Sequence, residues 1–172
     1  MLSSFKVRTA LAKGADVNSR DSEDQTALMW AVVKKHNAIV KLLLEQSDID
    51  VNYKRASNGC TALQLAASQE NVEAMQLILA NNSVDVNCEN SYKGTAMHTA
   101  AACGKLEAIQ LLLADVRVDV NHSDNKGTTA LSCAALEGHE KAIEVLLADP
   151  RVDVNHGDKF GLTALVLSLI HI

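Results

Sequence analysis

Between Thr129 and Asn155 the apolar residues fall on two short stripes. Leu131, Ala134 and Ala135 stand at i, i+3 and i+4, the spacing of one helix face. Ala142, Ile143, Leu146 and Leu147 form a second stripe of the same kind. Thr129 can cap free amides of the first turn. Gly138, between the stripes, enters φ > 0 readily and ends the first helix. After Asp149-Pro150, where proline forbids continuation, the chain runs extended through Val152-Asp153-Val154-Asn155 towards the turn residues Gly157 and Gly161. The pattern predicts helix, turn, helix, then a protruding hairpin-like loop.

This unit recurs. The triplet Asp-Val-Asn begins at Asp16, Asp50, Asp85, Asp119 and Asp153, at steps of 34, 35, 34 and 34 residues. Thr-Ala followed by Leu or Met begins at Thr26, Thr61, Thr95, Thr129 and Thr163, at steps of 35, 34, 34 and 34. Two motifs sharing one period indicate a stacked architecture. Neither helix of a unit is long enough to persist alone, so neighbouring units must bury each other's stripes.

The repeating segments resemble the ankyrin repeat. Leu11-Ala12-Lys13-Gly14-Ala15-Asp16-Val17-Asn18 matches that family's closing segment, and Thr95-Ala96-Met97-His98-Thr99-Ala100-Ala101 and Gly138-His139-Glu140 match its two helix starts. The resemblance implies an all-α ankyrin-repeat solenoid. Full repeats are expected at 19–52, 53–87, 88–121 and 122–155, with partial ones at 1–18 and 156–172. Alanine stands for the family's proline at Ala27, Ala62, Ala96, Ala130 and Ala164, and only His98 keeps the motif histidine, so the hydroxyl–imidazole link is expected to be mostly missing. Lys35 and Glu70 occupy the place of Gly104 and Gly138. A positive φ there costs about 1 kcal/mol or more, so repeats 19–87 are expected to be less stable than 88–155.

Both ends read as cut inside a repeat. Leu167 to Ile172 leave two readings open: an apolar terminal helix, or the translation of a sequencing-library adapter beyond which the natural protein continues.

Composition narrows the function. Hydrophobic residues make up 48% of the chain but aromatics only 3%, so the core must be small and aliphatic. The net charge of −5 lacks the basic surplus that phosphate binding requires, so no nucleic-acid partner is expected. No apolar run reaches the roughly 20 residues of a bilayer span, so no membrane partner is expected either. Cys60, Cys88, Cys103 and Cys133 include no Cys-x-x-Cys pair and read as reduced thiols of a cytoplasmic or nuclear protein. His122 and His156 follow successive triplets. Packed elements about 10 Å apart do not bring such a pair onto one metal, so both read as surface residues. Cys133 and Trp30 fall on first-helix stripes and are expected in the core. Neither catalytic group nor cofactor nor metal emerges, and the chain reads as a non-enzyme, monomeric unless its exposed ends associate.

The resemblance implies a scaffold that binds a partner protein on a concave face of loop tips and first helices. The alternative is a targeting or regulatory segment of a larger enzyme, such as a kinase or ubiquitin ligase. The implied tip contacts are Glu23, Gln25, Asn58, Tyr92, Lys126 and Phe160. The implied helix contacts are Lys34, Gln69, Cys103 and Glu137. Tyr92 and Phe160 are the candidate anchors, the other reading being that they shield the loop base. Lys54, Arg55, Lys93, Lys126 and Lys159 set bases on four successive loops, while Glu89, Asp124 and Asp158 interleave to make a mixed-charge rim. The family further implies hydroxylation of the triplet asparagine where a leucine stands eight residues earlier, as Leu44, Leu79, Leu113 and Leu147 do before Asn52, Asn87, Asn121 and Asn155. A structural role in the turn accounts for the same residues.

Overall fold

In the computed structural model, which describes residues 2–169 and the side chains of 4–169, the chain forms ten helices. They are α1 (Leu2–Ala12), α2 (Ala27–Val33), α3 (Asn37–Leu44), α4 (Ala62–Ser68), α5 (Val72–Leu79), α6 (Ala96–Ala102), α7 (Leu106–Ala114), α8 (Ala130–Leu136), α9 (Glu140–Leu147) and α10 (Ala164–Leu169). The even-numbered helices stack on one another as an inner layer, and the odd-numbered helices stack as an outer one. Each inner helix from α2 to α8 also packs on the outer helix that follows it. This is an all-α solenoid. Ile170, His171 and Ile172, part of the suspected adapter segment, lie outside the described residues. Leu167 of that segment packs at 3% exposure inside α10.

The helices α2, α4, α6 and α8 are seven residues long, well below the roughly 12 needed to persist alone in water. Their threonines start them. Thr26, Thr61 and Thr129 accept the amides of Met29, Gln64 and Ser132. Their alanines then let neighbouring helices close up, with Ala66, Ala67, Ala100 and Ala134 wholly buried. Bulk comes from the interface between the layers, where Met75, Ile78, Met97, Ile109, Leu112 and Leu146 lie at 2% exposure or less. Burying each such side chain is worth about 1.5–3 kcal/mol.

A second set of bonds holds the backs of the loops in register. Asn18, Asn52, Asn87 and Asn121 each donate through Nδ2 to a carbonyl of the next repeat, those of Asp48, Ser83, Arg117 and Arg151 at 2.7–2.8 Å. Each also accepts through Oδ1 from the next triplet's amide, that of Asp50, Asp85, Asp119 or Asp153, at 2.7–2.9 Å. The last two junctions carry an additional staple. Arg117, held by Asp115, donates to the Leu79 carbonyl at 2.7 Å. Arg151, held by Asp149, donates to that of Leu113 at 2.6 Å. These guanidinium groups sit at the C-terminal ends of α5 and α7, where the helix carbonyls favour a cation.

The junction between first and second helices always needs a left-handed residue. Gly104 and Gly138 take φ of +62° and +69°, and Lys35 and Glu70 take φ of +54° and +48°. Gly104 is also needed for space, because a Cβ there would come within 2.9 Å of the His139 ring. Glu70 recovers part of its cost: its carboxylate accepts the Glu107 amide at 3.2 Å, in the first turn of α7, where the Lys105 side chain provides no cap. Lys35 makes no comparable bond.

Replacing Lys35 by glycine is therefore expected to stabilise the chain by about 0.5–1 kcal/mol in a denaturant titration. Glu70→Gly should gain less, because it removes a helix cap. Equal gains would show that the bond to Glu107 contributes nothing. Amides of α2 to α5 should exchange with solvent faster than those of α6 to α9, and the reverse order would refute the gradient.

Candidate functional site

Loop tips and inner helices together form one continuous face. Each loop turns through a left-handed residue two places before its threonine. Gly59, Gly127 and Gly161 serve there at φ of +69° to +81°, and Asp24 and Lys93 at +60° and +63°. Successive tips are hydrogen-bonded backbone to backbone. The amides of Ser91, Asn125 and Lys159 donate to the carbonyls of Asn58, Tyr92 and Lys126 at 2.9–3.0 Å. Between the first two loops side chains replace this ladder. Asp24 accepts the Ala56 amide and the Tyr53 hydroxyl, each at 2.7 Å, and binds Arg20 at 3.1 Å. The Ala56 amide, then Tyr53, holds the Asp24 carboxyl below its ordinary range.

The role of the motif histidine is filled at two junctions. In the third full repeat the Thr95 amide donates to His98 Nδ1 at 3.2 Å, and Nε2–H donates to the Thr128 carbonyl at 3.0 Å. In the second repeat Gln64 does both jobs. Its Oε1 accepts the Thr61 amide at 3.0 Å, and its Nε2 donates to the carbonyls of Cys88 and Gly94 at 3.0 and 2.8 Å. The hydroxyl–imidazole link itself is confined to Thr95 and His98, as expected, but Gln64 fills its role at one further junction. An amide has the same donor and acceptor pair as a neutral imidazole, and Thr61-x-x-Gln64 is a capping-box sequence that signals it. Met29 has no such group.

The named contact residues divide by burial. Glu23, Tyr92, Lys126 and Phe160 stand exposed at loop tips, and Lys34, Gln69, Cys103 and Glu137 stand exposed in one column at the ends of the inner helices. Tyr92 and Phe160 are 64% and 83% exposed, which removes the reading that they shield a loop base. Gln25 is corrected. It is 8% exposed and donates to Glu23. Asn58 is half-buried, its Oδ1 accepting the Cys60 amide and Arg55 Nε, so its side chain also serves the loop.

Trp30 is corrected in the other direction. It is 39% exposed, donates its indole N–H to Asp21 at 2.5 Å and lies under Lys34 Nζ, 5.3 Å from the ring centroid. Its register position is that of Leu65 and Cys133, which pack against the core, but among the described residues no inner helix precedes α2, so Trp30 stays partly open beside Val7 and Ala27. Cys133 packs against the core as expected. Burial pushes its thiol up to about 12, so it stays protonated and unreactive.

The charged rim also changes character. Asp124 Oδ1 accepts the amides of Lys126 and Thr128, and Asp158 Oδ1 those of Phe160 and Leu162. These acids brace their own loops, leaving Lys93, Lys126 and Lys159 exposed. Glu89 faces His122, Oε1 to Nε2 at 3.2 Å, with an alignment that leaves Nε2 without a proper hydrogen bond. His156 Nε2 lies 2.8 Å from Ser123 Oγ. Each histidine thus turns to the preceding repeat. Among the described residues no group of three His, Cys, Asp or Glu is placed to hold a metal, and no helix is long and apolar enough to cross a membrane.

The profile of ankyrin repeats in its three-copy form matches residues 3–90 and again 70–158. The chain belongs to the ankyrin repeat family. It is 36% identical over 77 residues to the ankyrin repeat and KH domain-containing protein mask-1 of Caenorhabditis elegans, covering 45% of this chain and 3% of that one. It is 38% identical over 73 residues to the human transient receptor potential cation channel subfamily A member 1, covering 42% and 6%. With human Rabankyrin-5 it shares 32% over 77 residues, covering 45% and 6%. Each match therefore involves only a small part of a much longer relative. Ankyrin repeats are generally protein–protein interaction modules and typically non-catalytic.

His98 supplies a pH test of this ankyrin face. Burial, the largest effect, lowers its pKa from the ordinary 6.5, and its Nδ1 must stay unprotonated to accept the Thr95 amide. The unfolded chain then binds the proton more readily than the folded one. The stability from this neutral histidine is full above 6.5 and is lost as pH falls through the range beneath it. His98→Gln, copying Gln64, should flatten the fall in melting temperature between pH 7.5 and 5.5. An unchanged slope would place the acid sensitivity elsewhere.

Proposed function

We propose that the chain is a recognition scaffold that binds a partner protein across its loop tips and inner-helix ends. One observation carries this reading: Lys34, Gln69, Cys103 and Glu137 recur in register and exposed beside the exposed tips Tyr92, Lys126 and Phe160, on a backbone tied from loop to loop. Side chains on such a frame lose little further order on binding, so their contacts are converted efficiently into affinity. Tyr92 and Phe160 offer large contact area with few rotatable bonds. No catalytic role, cofactor or metal is assigned to this face, and the partner is a protein rather than a nucleic acid or a membrane, met in the cytoplasm or nucleus.

The second reading is a targeting or regulatory segment of a larger enzyme, such as a kinase or ubiquitin ligase. A catalytic domain in the full-length gene product would favour it, and the same face would then hold the substrate or regulator. Hydroxylation of Asn52, Asn87, Asn121 and Asn155 remains part of this proposal. At Asn52, Asn87 and Asn121 an enzyme must first free an amide clamped at both ends.

The test begins with a partner captured by the full-length protein and identified by mass spectrometry. Tyr92→Ala with Phe160→Ala should weaken its binding at least about tenfold, the loss of 1.4 kcal/mol or more usual for buried aromatic anchors. Lys126→Glu should weaken it further for an acidic partner. Unaltered affinity in the triple variant, with an unaltered melting temperature, would sink the assignment of this face.

A further inference from the structure

The loop at 53–60 is built unlike the others. In the loops at 21–25, 90–94, 124–128 and 158–162 one Asp or Asn side chain accepts two amides of its own loop. Loop 53–60 has Arg55 at that base, its amide on the Cys60 carbonyl at 3.1 Å as Asp21 meets Gln25. One more residue lies between the paired ends than in the first loop. Its only comparable brace is Asn58 Oδ1, which takes the Cys60 amide at 3.1 Å.

Ser57 stands exposed at the tip, preceded by Lys54 and Arg55 at the third and second places before it. No acid lies between Lys54 and Cys60. Among the ion pairs of the described residues neither cation has a carboxylate partner. Arg55 makes one side-chain bond, Nε to Asn58 at 3.3 Å. Other hydroxyls near basic residues lack this combination. Ser22 lies between Asp21 and Glu23, with Arg20 committed to Asp24. Thr9, preceded by Lys6 and Arg8, donates its hydroxyl to the Phe5 carbonyl at 2.9 Å.

We propose that Ser57 is a phosphorylation site for a basophilic serine/threonine kinase. With no carboxylate of their own, Lys54 and Arg55 can meet those of the kinase cleft, a charge-assisted recognition that fixes which hydroxyl is presented. The Ser57 oxygen attacks the γ-phosphorus of a nucleoside triphosphate. An O–P bond forms there as the bond to the β–γ bridging oxygen breaks. The hydroxyl proton passes to the kinase's base, and nucleoside diphosphate leaves. The product carries a charge of about −1.5 to −2 one residue beyond Ala56, whose amide donates to the Asp24 carboxylate at 2.7 Å. Repulsion between the two anions opposes the clamp that ties the first two loops. The site does not depend on the partner-binding reading.

The experiment uses the folded full chain with the catalytic subunit of cyclic-AMP-dependent protein kinase, as a representative basophilic enzyme, and magnesium ATP. Intact mass and peptide mapping should find one phosphate, on Ser57, and none in Ser57→Ala. Arg55→Gln should be labelled at least about tenfold more slowly, since the guanidinium supplies a charge-assisted contact. Ser57 left unmodified in the folded chain, or Arg55→Gln labelled at the original rate, would overturn the proposal. Circular dichroism of both variants checks that the fold is kept, and Lys54→Gln repeats the charge test without touching the Arg55–Asn58 bond.

Discussion

Helices of seven to nine residues do not survive in water by themselves, and α2 to α9 are all of that length. What keeps them is contact with the helix pair before and the helix pair after. Alanines on the inner layer allow the approach, and a few larger side chains between the layers supply the buried area. Every other feature is subordinate to this stacking. Loops can project and carry variable residues because they are not asked to hold a core.

Stacking by apolar contact fixes the spacing of repeats better than it fixes their register, and the polar bonds between repeats complete the specification. The same requirement is met by different chemistry at different junctions. His98 and Gln64 each satisfy a threonine amide and a carbonyl of the next loop. The triplet asparagines clamp the loop backs. Arg117 and Arg151 reach back to helix carbonyls, while Asp24, Tyr53 and Arg20 join the first two loops. At Gln64 and His98, where the paired groups are buried, they have little alternative to pairing, so those bonds exclude slipped registers.

The exposed face of loop tips and inner-helix ends is what remains after these demands are met. Asp21, Asp124 and Asp158 are turned inward to hold their loops, and Gln25 follows them. Tyr92, Lys126 and Phe160 have side chains that the loops do not use. A partner would meet groups free of structural duty on a frame already ordered, the condition under which a repeat array can change specificity without changing fold.

The period, the two helices of each unit and the core stripes were legible in the sequence, because a helix face repeats every three to four residues and a stacked unit repeats every 34 or 35. The left-handed positions at Lys35 and Glu70 were legible as well, since later repeats place glycine there. What the sequence left undecided depends on neighbours distant along the chain. Trp30 shares its register position with Leu65 and Cys133, which pack against the core, and only the packed array shows that no inner helix among the described residues covers that side of α2. Gln25 and Asp124 read as surface polar residues until the loop closes and their side chains find partners within it. Gln64 escapes a reading of the sequence because its second partner, the carbonyl of Gly94, lies 30 residues later and arrives beside it only when the repeats stack. Local periodicity follows from backbone geometry and is written in every unit. The pairing of polar groups is settled by contacts between units, so it exists only once they stack.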